Sequence, residues 1–460
     1  MNDSSNLEPN ALDVTRRDFV KTSSFAAAFA MFNAGQLFAQ APAAAPAPYT
    51  GPTVKVAVIG VGTWGREILN TLARFPKAEV IAVCDNYGSE GFQRRIKEAA
   101  PKAELYTDYK KVLENKDVKA VIVATPTHLH KEIVIAALKA GKHVYCEAPL
   151  AHTIEDAREI ARAAREHSKS YFQAGLNLRS DPQRKFLLPF VRIGATGQTV
   201  KTRAQWHKKT NWRKAAPNAE RELALNWRLQ KEISTGLVGE VGSQAIDTMH
   251  WFLNKKPTQV TGFGGVLFWQ DGREVADTAQ AIFQYADGTT FNYEASIATS
   301  FDSEYEVMYG SDAAIMLRGN KAWLFKEADS PLLGWEVYAR KEQFFSETGI
   351  ALVANATKST TTDQSKGQNE AAYSDPPIYF AMDAFLSNTD LIANAVEDFA
   401  ATFDVNDTKA LNEYLAGIQK SKLPAATYVD GFETAVLAIK ANEAVQNKST
   451  VKIDKQLFEI

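Results

Sequence analysis

Two constellations in this 460-residue chain carry residue types that chemistry needs. The first is Gly60, Gly62 and Gly65 in the stretch VKVAVIGVGTWG, residues 54–65, with Asp85 some twenty residues on. Glycines at this G-x-G-x-x-G spacing let the backbone turn tightly and let a pyrophosphate approach the amides that open the next helix, where the helix dipole favours negative charge. Thr63 and Trp64 fill the motif's variable positions. A carboxylate at the end of the following strand, where Asp85 falls, accepts from both ribose hydroxyls and repels a 2′-phosphate, so the pattern selects NAD, with NADP as the alternative. Arg94 and Arg95, in the next helix, fit a solvated face. The second constellation is Glu240, Gln244, Asp247 and His250. On a helix the first three stand at i, i+4 and i+7 and share one side, with His250 about 60° round from Asp247. Two carboxylates, an amide and an imidazole on one wall suit acid–base work on a hydroxyl; a solvated polar face is the plainer alternative. His207, on the polar side of an alternating strand, is a further titratable candidate. Trp227 and Arg228, with Lys209, offer an aromatic face beside cations, as a carbohydrate site would use.

Each constellation needs elements to hold it. The run Val54–Ile59 reads as a buried parallel strand, and Ile68, Leu72 and Phe75 give the following helix one apolar stripe. A second strand is predicted at 80–84, a helix at 92–100, a third strand at 104–109 and a fourth at 120–124, which runs into Thr125-Pro126-Thr127-His128-Leu129-His130. A helix at 131–140 stops at Gly141, and a fifth strand at 144–146 leads into Glu147. Thr153 to Asp156 looks like a capping box, and a sixth strand follows at 171–175. This alternation predicts a doubly wound α/β domain over 53–176 with strand order 3-2-1-4-5-6. Asp85, Thr125 and Glu147 then fall at the carboxyl ends of strands, where such sheets gather ligands. Over 177–460 the pattern changes. Alternation at 199–208, strands near 277–285, 290–297 and 304–309, and hairpin signals at Ala286-Asp287-Gly288 and Gly310-Ser311-Asp312 predict a second α/β domain with an open, mostly antiparallel sheet. The Ser/Thr/Gln/Asn-rich stretch 355–375 reads as a flexible loop, and helices near 379–402 and 427–444 are expected to pack on the second domain.

Composition sets outer limits. With 45% hydrophobic and 23% charged residues the chain is of ordinary globular type with room for two domains, and a net charge of -2 provides no basic field for nucleic acid. Residues 1–41 carry twin arginines, Arg16 and Arg17, then a weakly apolar run at 22–32 too short to span a bilayer, then Ala/Pro-rich sequence that continues into a linker at 42–52. This is the order of a twin-arginine signal, which predicts a periplasmic or secreted protein that folds, and acquires a tightly bound cofactor, before export. The two cysteines, Cys84 and Cys146, fall on the second and fifth strands, about 14 Å apart by strand spacing, beyond the roughly 7 Å reach of a disulfide. Free buried thiols are expected. No zinc spacing is present, and the scattered histidines make no metal site.

The stretches VAVIGVGTWG, AVCD, VATPTHLH and GKHVYCEAPLAHT, in this order, resemble the Gfo/Idh/MocA family, the relatives of glucose-fructose oxidoreductase and inositol dehydrogenase. The segments AQWHKKTNWR and NWRLQKE look like a secreted branch of it. The resemblance implies an NAD- or NADP-binding domain followed by a domain whose open sheet carries a sugar site and an oligomer contact, hence a homo-oligomer, dimer or tetramer. It implies that Thr125, Pro126 and Glu147 line the cofactor with His130 beside it. At the family's sugar-binding helix, Glu240 stands for the usual Asp and Gln244 for the usual His. The E-K-P motif reads Glu147-Ala148-Pro149, so its proton-transferring lysine is replaced by Ala148. The activity implied is oxidation of a sugar, polyol or glycoside, hydride passing to nicotinamide and the proton to the Glu240 helix or His207. Two alternatives stand beside it: a redox-neutral NAD-dependent glycosidase or lyase working through a 3-keto sugar, and a catalytically silent NAD- and sugar-binding homologue.

Overall fold

The apolar run becomes β1 (Val54–Ile59), whose Val56, Ala57 and Val58 are wholly enclosed, as a strand covered on both faces must be. It sits at the centre of a parallel sheet with β2 (Ala78–Cys84), β3 (Glu104–Tyr106), β4 (Ala120–Val123), β5 (His143–Glu147) and β6 (Phe172–Gly175) in the order β3-β2-β1-β4-β5-β6. Helices α1 (Thr63–Leu72), α2 (Glu90–Ala99), α3 (Tyr109–Glu114), α4 (His130–Lys139) and α5 (Ile154–Glu166) cover its faces. The doubly wound order is the predicted one. The third strand is shorter than expected, because Asp108 caps Lys110 N and starts α3 where the strand was to continue. Cys84 and Cys146 are free and buried on β2 and β5. This computed structural model describes residues 48–87, 89–332, 336, 339, 341–344, 347–352 and 373–460. The signal at 1–41, half of the linker, and the loop at 355–375 apart from Tyr373, Ser374 and Asp375 lie outside the described residues.

Through α6 (Pro182–Arg192) the chain enters a ten-stranded sheet of order β14-β15-β13-β12-β11-β7-β10-β9-β8-β16. Its central strands are β7 (Thr199–His207), β8 (Pro257–Gly265), β9 (Thr278–Tyr285), β10 (Thr290–Ser296) and β11 (Glu304–Gly310). β12 (Ala313–Arg318), β13 (Lys321–Lys326), β14 (Lys341–Phe344) and β15 (Glu347–Leu352) extend one edge and β16 (Thr450–Lys452) the other. Every pair is antiparallel except β7 with β10. That parallel pair needs a long crossover, and the crossover contains α7 (Ala219–Leu225) and α8 (Gly236–Leu253). β9 shows the period-2 code plainly: Ala279, Ala281, Phe283 and Tyr285 are buried while Gln280, Ile282 and Gln284 are exposed. Val200, in phase with the buried Thr202 and Ala204 of β7, is nonetheless 55% exposed.

Three further helices complete the chain: α9 (Pro377–Ala400), α10 (Thr408–Gly417) and α11 (Tyr428–Asn447). α11 packs on α8 and β8 and also reaches α5 of the first domain. α9 departs from expectation. Its Ile378, Met382, Phe385 and Leu386 share one apolar cluster with Val56, Val58 and Ile68, and Tyr379 stacks on Phe75 at 4.7 Å, so it leans on the first domain rather than the second. The reason is that the outer side of α1 is apolar too, and something must cover it. Among the described residues no helix is long and apolar enough to cross a membrane.

Candidate functional site

β1 delivers the chain to Gly60, whose φ of +89° and whose absent Cβ, which would lie 2.7 Å from the backbone of Ala124 and Thr125, both require glycine. At Gly65 a Cβ would fall 2.0 Å from Gly60 O, so α1 can press against the turn only there. Gly62 caps α1 without a side-chain hydrogen bond, and a Cβ on it would meet nothing within 4 Å. The first amides of α1 are therefore open to an anion. Asp85 follows β2 and accepts from Val61 N at 3.0 Å and Tyr87 N at 2.9 Å, which fixes its carboxylate at the rim of the turn. Thr125 Oγ1, beyond β4, is buried without a partner. Open amides, a rim carboxylate and an unpaired hydroxyl around a glycine-lined groove are what a dinucleotide's diphosphate and ribose require.

The floor of the groove is tied together by buried polar groups. Pro126 opens a short 3-10 turn, Thr127–Leu129, ahead of α4. His130 has Nε2 2.9 Å from Thr125 O and Nδ1 3.1 and 3.2 Å from Pro149 O and Leu150 O. Burial pushes its pKa down to about 4, so the ring is neutral and its single N–H donates to the carbonyl on one side only, Thr125 O or the Pro149–Leu150 pair. Burial pushes Glu147, at the end of β5, up to about 7, against a hydrogen bond from Trp64. Tyr145 Oη lies 2.6 Å from Asn177 Oδ1 and 3.0 Å from Glu147 Oε1. A hydroxyl has one hydrogen, and the amide oxygen of Asn177 accepts it, so both contacts are satisfied when Glu147 carries the proton.

On α8 the predicted row exists: Glu240 and Gln244 face the first domain, at Thr127 and Gly175, and Asp247 faces Arg179 just beyond it. The Glu240 side chain is 2% exposed; Thr235 Oγ1 donates to it at 2.8 Å, Thr127 Oγ1 stands 3.4 Å away and Arg228 Nε 3.4 Å. Gln244 donates to Gly175 O at 2.8 Å, and its Oε1 is 3.4 Å from Leu178 N, so its amide docks α8 on the end of β6. Asp247 is clasped by Arg179 at 2.8 and 2.9 Å and by Thr434 Oγ1 at 3.1 Å, an interior ion pair. His250 lies apart against Tyr285, and burial pushes it down to about 3. His207 has Nδ1 3.1 Å from Phe301 O, and its neighbour Trp206 lines the cavity in its place. Lys209 lies 4.7 Å over Phe268, and Trp227 sits under Arg228 with its ring 5.9 Å from His128. The structure thus gathers Glu240, Gln244, Trp227 and Arg228 at the nucleotide groove and leaves His207, Lys209, Asp247 and His250 elsewhere. It adds His152, 6.2 Å from His128, with burial lowering both imidazoles and Glu240 acting to raise His152.

Beside the groove a cavity of about 600 Å³ opens between Trp64 of the first domain, Asn177 just beyond β6, Val241 and Gln244 of α8, and Trp206 and Tyr293 of the second sheet. On its wall Arg184 stands between Asp181 at 3.0 Å and Glu306 at 2.6 Å, and Tyr373 donates its hydroxyl to Asp181. The two carboxylates hold the guanidinium pKa above its ordinary value, against the opposing effect of burial. Arg184 Nε and Tyr293 Oη, both buried, have no hydrogen-bond partner among the described residues. Nothing in the sequence marks this wall, because Arg184 and Glu306 are 122 positions apart.

Residues 54–175 match the family model described as oxidoreductase family, NAD-binding Rossmann fold, and residues 190–316 match the GFO/IDH/MocA C-terminal domain, together more than half of the chain. Inositol 2-dehydrogenase of Salmonella typhimurium is 29% identical over 204 residues, covering 44% of this chain and 55% of that protein. Levoglucosan dehydrogenase of Pseudarthrobacter phenanthrenivorans is 32% identical over 211 residues, 41% of this chain and 52% of that one. The chain therefore spans about half the length of these two relatives. 2,7-Anhydro-N-acetylneuraminate hydratase of Escherichia coli is 25% identical over 268 residues, 57% and 67% respectively. Among solved structures, levoglucosan dehydrogenase in complex with NADH and L-sorbose superposes with a TM-score of 0.62 at 17% identity, covering 88% of this chain and all of that one. At this identity the likeness is one of fold.

Proposed function

The chain belongs to the Gfo/Idh/MocA family of NAD-binding oxidoreductases, and from that premise we propose that it oxidises or reduces a hydroxyl-bearing carbon of a sugar, polyol or glycoside with a nicotinamide dinucleotide held at Gly60–Gly65 and Asp85. One observation carries this reading: Trp64, inside the glycine motif, is also a wall of the 600 Å³ cavity, so a ligand filling the cavity abuts the nucleotide groove. The volume lies in the ~300–1,000 Å³ range of small-molecule sites. Unpaired Arg184 Nε and Tyr293 Oη, with the Trp206 face, offer a sugar its donors, acceptors and stacking surface. When bound, the nicotinamide supplies the hydride acceptor. Ala148 supplies no proton acceptor and Gln244 is spent on docking, which leaves Glu240, oriented by Thr235 and Arg228, as the base, with His152 next to it. The twin-arginine leader supports export as a folded protein with its cofactor retained, and the exposed Phe263 and Ile282 of the second sheet support assembly with a further copy of the chain.

A second reading is favoured by the same carboxylate. With no lysine at position 148, Glu240 can remove the proton made acidic by transient oxidation, and a substituent then leaves before the hydride returns, so no net oxidation results. The test is a panel of neutral sugars and glycosides incubated with the isolated protein after its nucleotide has been identified. Oxidised sugar with reduced nucleotide or a reduced second sugar supports the first reading, and eliminated or cleaved product without net redox supports the second. No turnover by a protein that binds NADH would leave a silent sugar-binding homologue.

A further inference from the structure

Between β7 and α8 the second domain sends residues 208–235 back across the first, and side chains of this strap land on the nucleotide groove. Lys214 Nζ is 3.4 Å from Thr63 Oγ1 in the first turn of α1. Arg221 lies 4.1 Å over the ring of Tyr87 and donates to Asn86 Oδ1 at 3.1 Å, immediately beyond Asp85. The strap is clamped: Asn226 Oδ1 accepts from Lys214 N at 2.7 Å, its Nδ2 donates to Lys214 O at 2.9 Å, and Arg213 pairs with Glu222. Lys214 thus projects from a fixed backbone. Among the described residues no carboxylate lies within ion-pair distance of Lys214, Arg221 or Arg66, the last in the opening turn of α1. Arg221 Nε is buried with no hydrogen-bond partner among the described residues. Burial, together with the like charges of Arg228 and Arg66, depresses Lys214. Lys214 stands at the open end of α1 with Arg66 and Arg228 near enough to act on it as like charges, and of the three only Arg228 has a carboxylate partner among the described residues, Glu240 at 3.4 Å. Such a cluster repels itself until an anion enters it, and each contact to a phosphate oxygen is then a charge-assisted hydrogen bond.

We propose that the strap is part of the cofactor site: Lys214, with Arg66 and Arg228, closes on the diphosphate of the bound dinucleotide, and Arg221 covers its adenosine end beside Asp85. The second domain then retains the nucleotide, which can leave only when the strap lifts. This rests on the groove binding a nicotinamide dinucleotide, and the experiment separates the two claims. The full-length protein is loaded with NADH, and release is followed by fluorescence after mixing with excess NAD at low and high salt. The parent should release slowly and faster at high salt, because screening weakens the phosphate contacts. Lys214→Met combined with Arg221→Ala should release NADH about ten-fold faster or more and lose most of that salt dependence, while Lys214→Arg stays near the parent. The thermal midpoint of the nucleotide-free double variant should match that of the nucleotide-free parent. A parent that binds NADH and a folded double variant that releases it at the parental rate would overturn the strap alone; a parent that binds no NADH would overturn both claims.

Discussion

Glu240 and Glu147 are both enclosed carboxylates with different partners. Glu240 is surrounded by donors, from Thr235, Thr127 and Arg228, and is the carboxylate available at the edge of the cofactor groove. Glu240→Gln keeps the size and the hydrogen-bonding oxygen but removes the base. Turnover should fall by about 10²-fold or more with NADH binding unchanged, read by steady-state kinetics beside a fluorescence titration; parental turnover would remove Glu240 from the chemistry. Glu147 is raised from 4.5 to about 7 by burial. A carboxyl raised on folding stabilises the folded state fully below its unfolded value, and that contribution is lost as pH climbs through the folded value. Glu147→Gln cannot ionise, so its stability relative to the parent should grow from about pH 4.5 to about pH 7 and then level, by at most about 3 kcal/mol. A gap in thermal midpoint that stays flat from pH 4 to pH 8 would refute the assignment. Asp85 and Glu240 were legible because a motif fixes each by short-range spacing. The Arg184 wall, the His128–His152 pair and Lys214 were not, since their partners come from distant parts of the chain.

At the scale of elements, the turn between β1 and α1 separates two roles that the motif runs together. A methyl on Gly65 meets Gly60 O at 2.0 Å, whereas one on Gly62 meets nothing. Gly65→Ala should therefore cost folding stability and nucleotide binding alike. Gly62→Ala should cost only the ~1 kcal/mol of a poorer helix cap while sharply weakening NADH affinity, because its methyl points into the space the diphosphate takes. Chemical denaturation and NADH titration of both variants check this, and equal stability losses would contradict it. The first sheet was readable from short, mostly apolar runs interrupted by single polar residues such as Lys55 and Gln173, and the strand order follows from right-handed crossovers. The face of α8 was readable from its period but its orientation was not: Glu240, Gln244 and Asp247 share a side, yet what that side meets depends on where the first domain ends. The placement of α9 fails to show in sequence for the same reason, as an apolar stripe does not name its partner.

Over the whole molecule, an ionic cluster holds α8 and α11 to the segment that follows the first sheet. Asp247 on α8, Arg179 just beyond β6 and Asp430 on α11 form one ionic cluster, with Arg179 also 5.1 Å from the Trp251 ring. Removing one member strands buried charge. Asp247→Ala should destabilise the protein by on the order of 3 kcal/mol, the lower end for a broken buried pair because Asp430 still faces Arg179. Urea denaturation measures it, and a loss below about 1 kcal/mol would make the cluster incidental. α9 binds the ends of the chain together in another way. Residues 378–399, made late, complete the apolar cluster around Val56 and Ile68, made early. A ribosome that has released only the first domain has released a sheet with one flank still wet, so that domain cannot finish maturing while translation continues, and cellular quality control would see either a closed product or an open one.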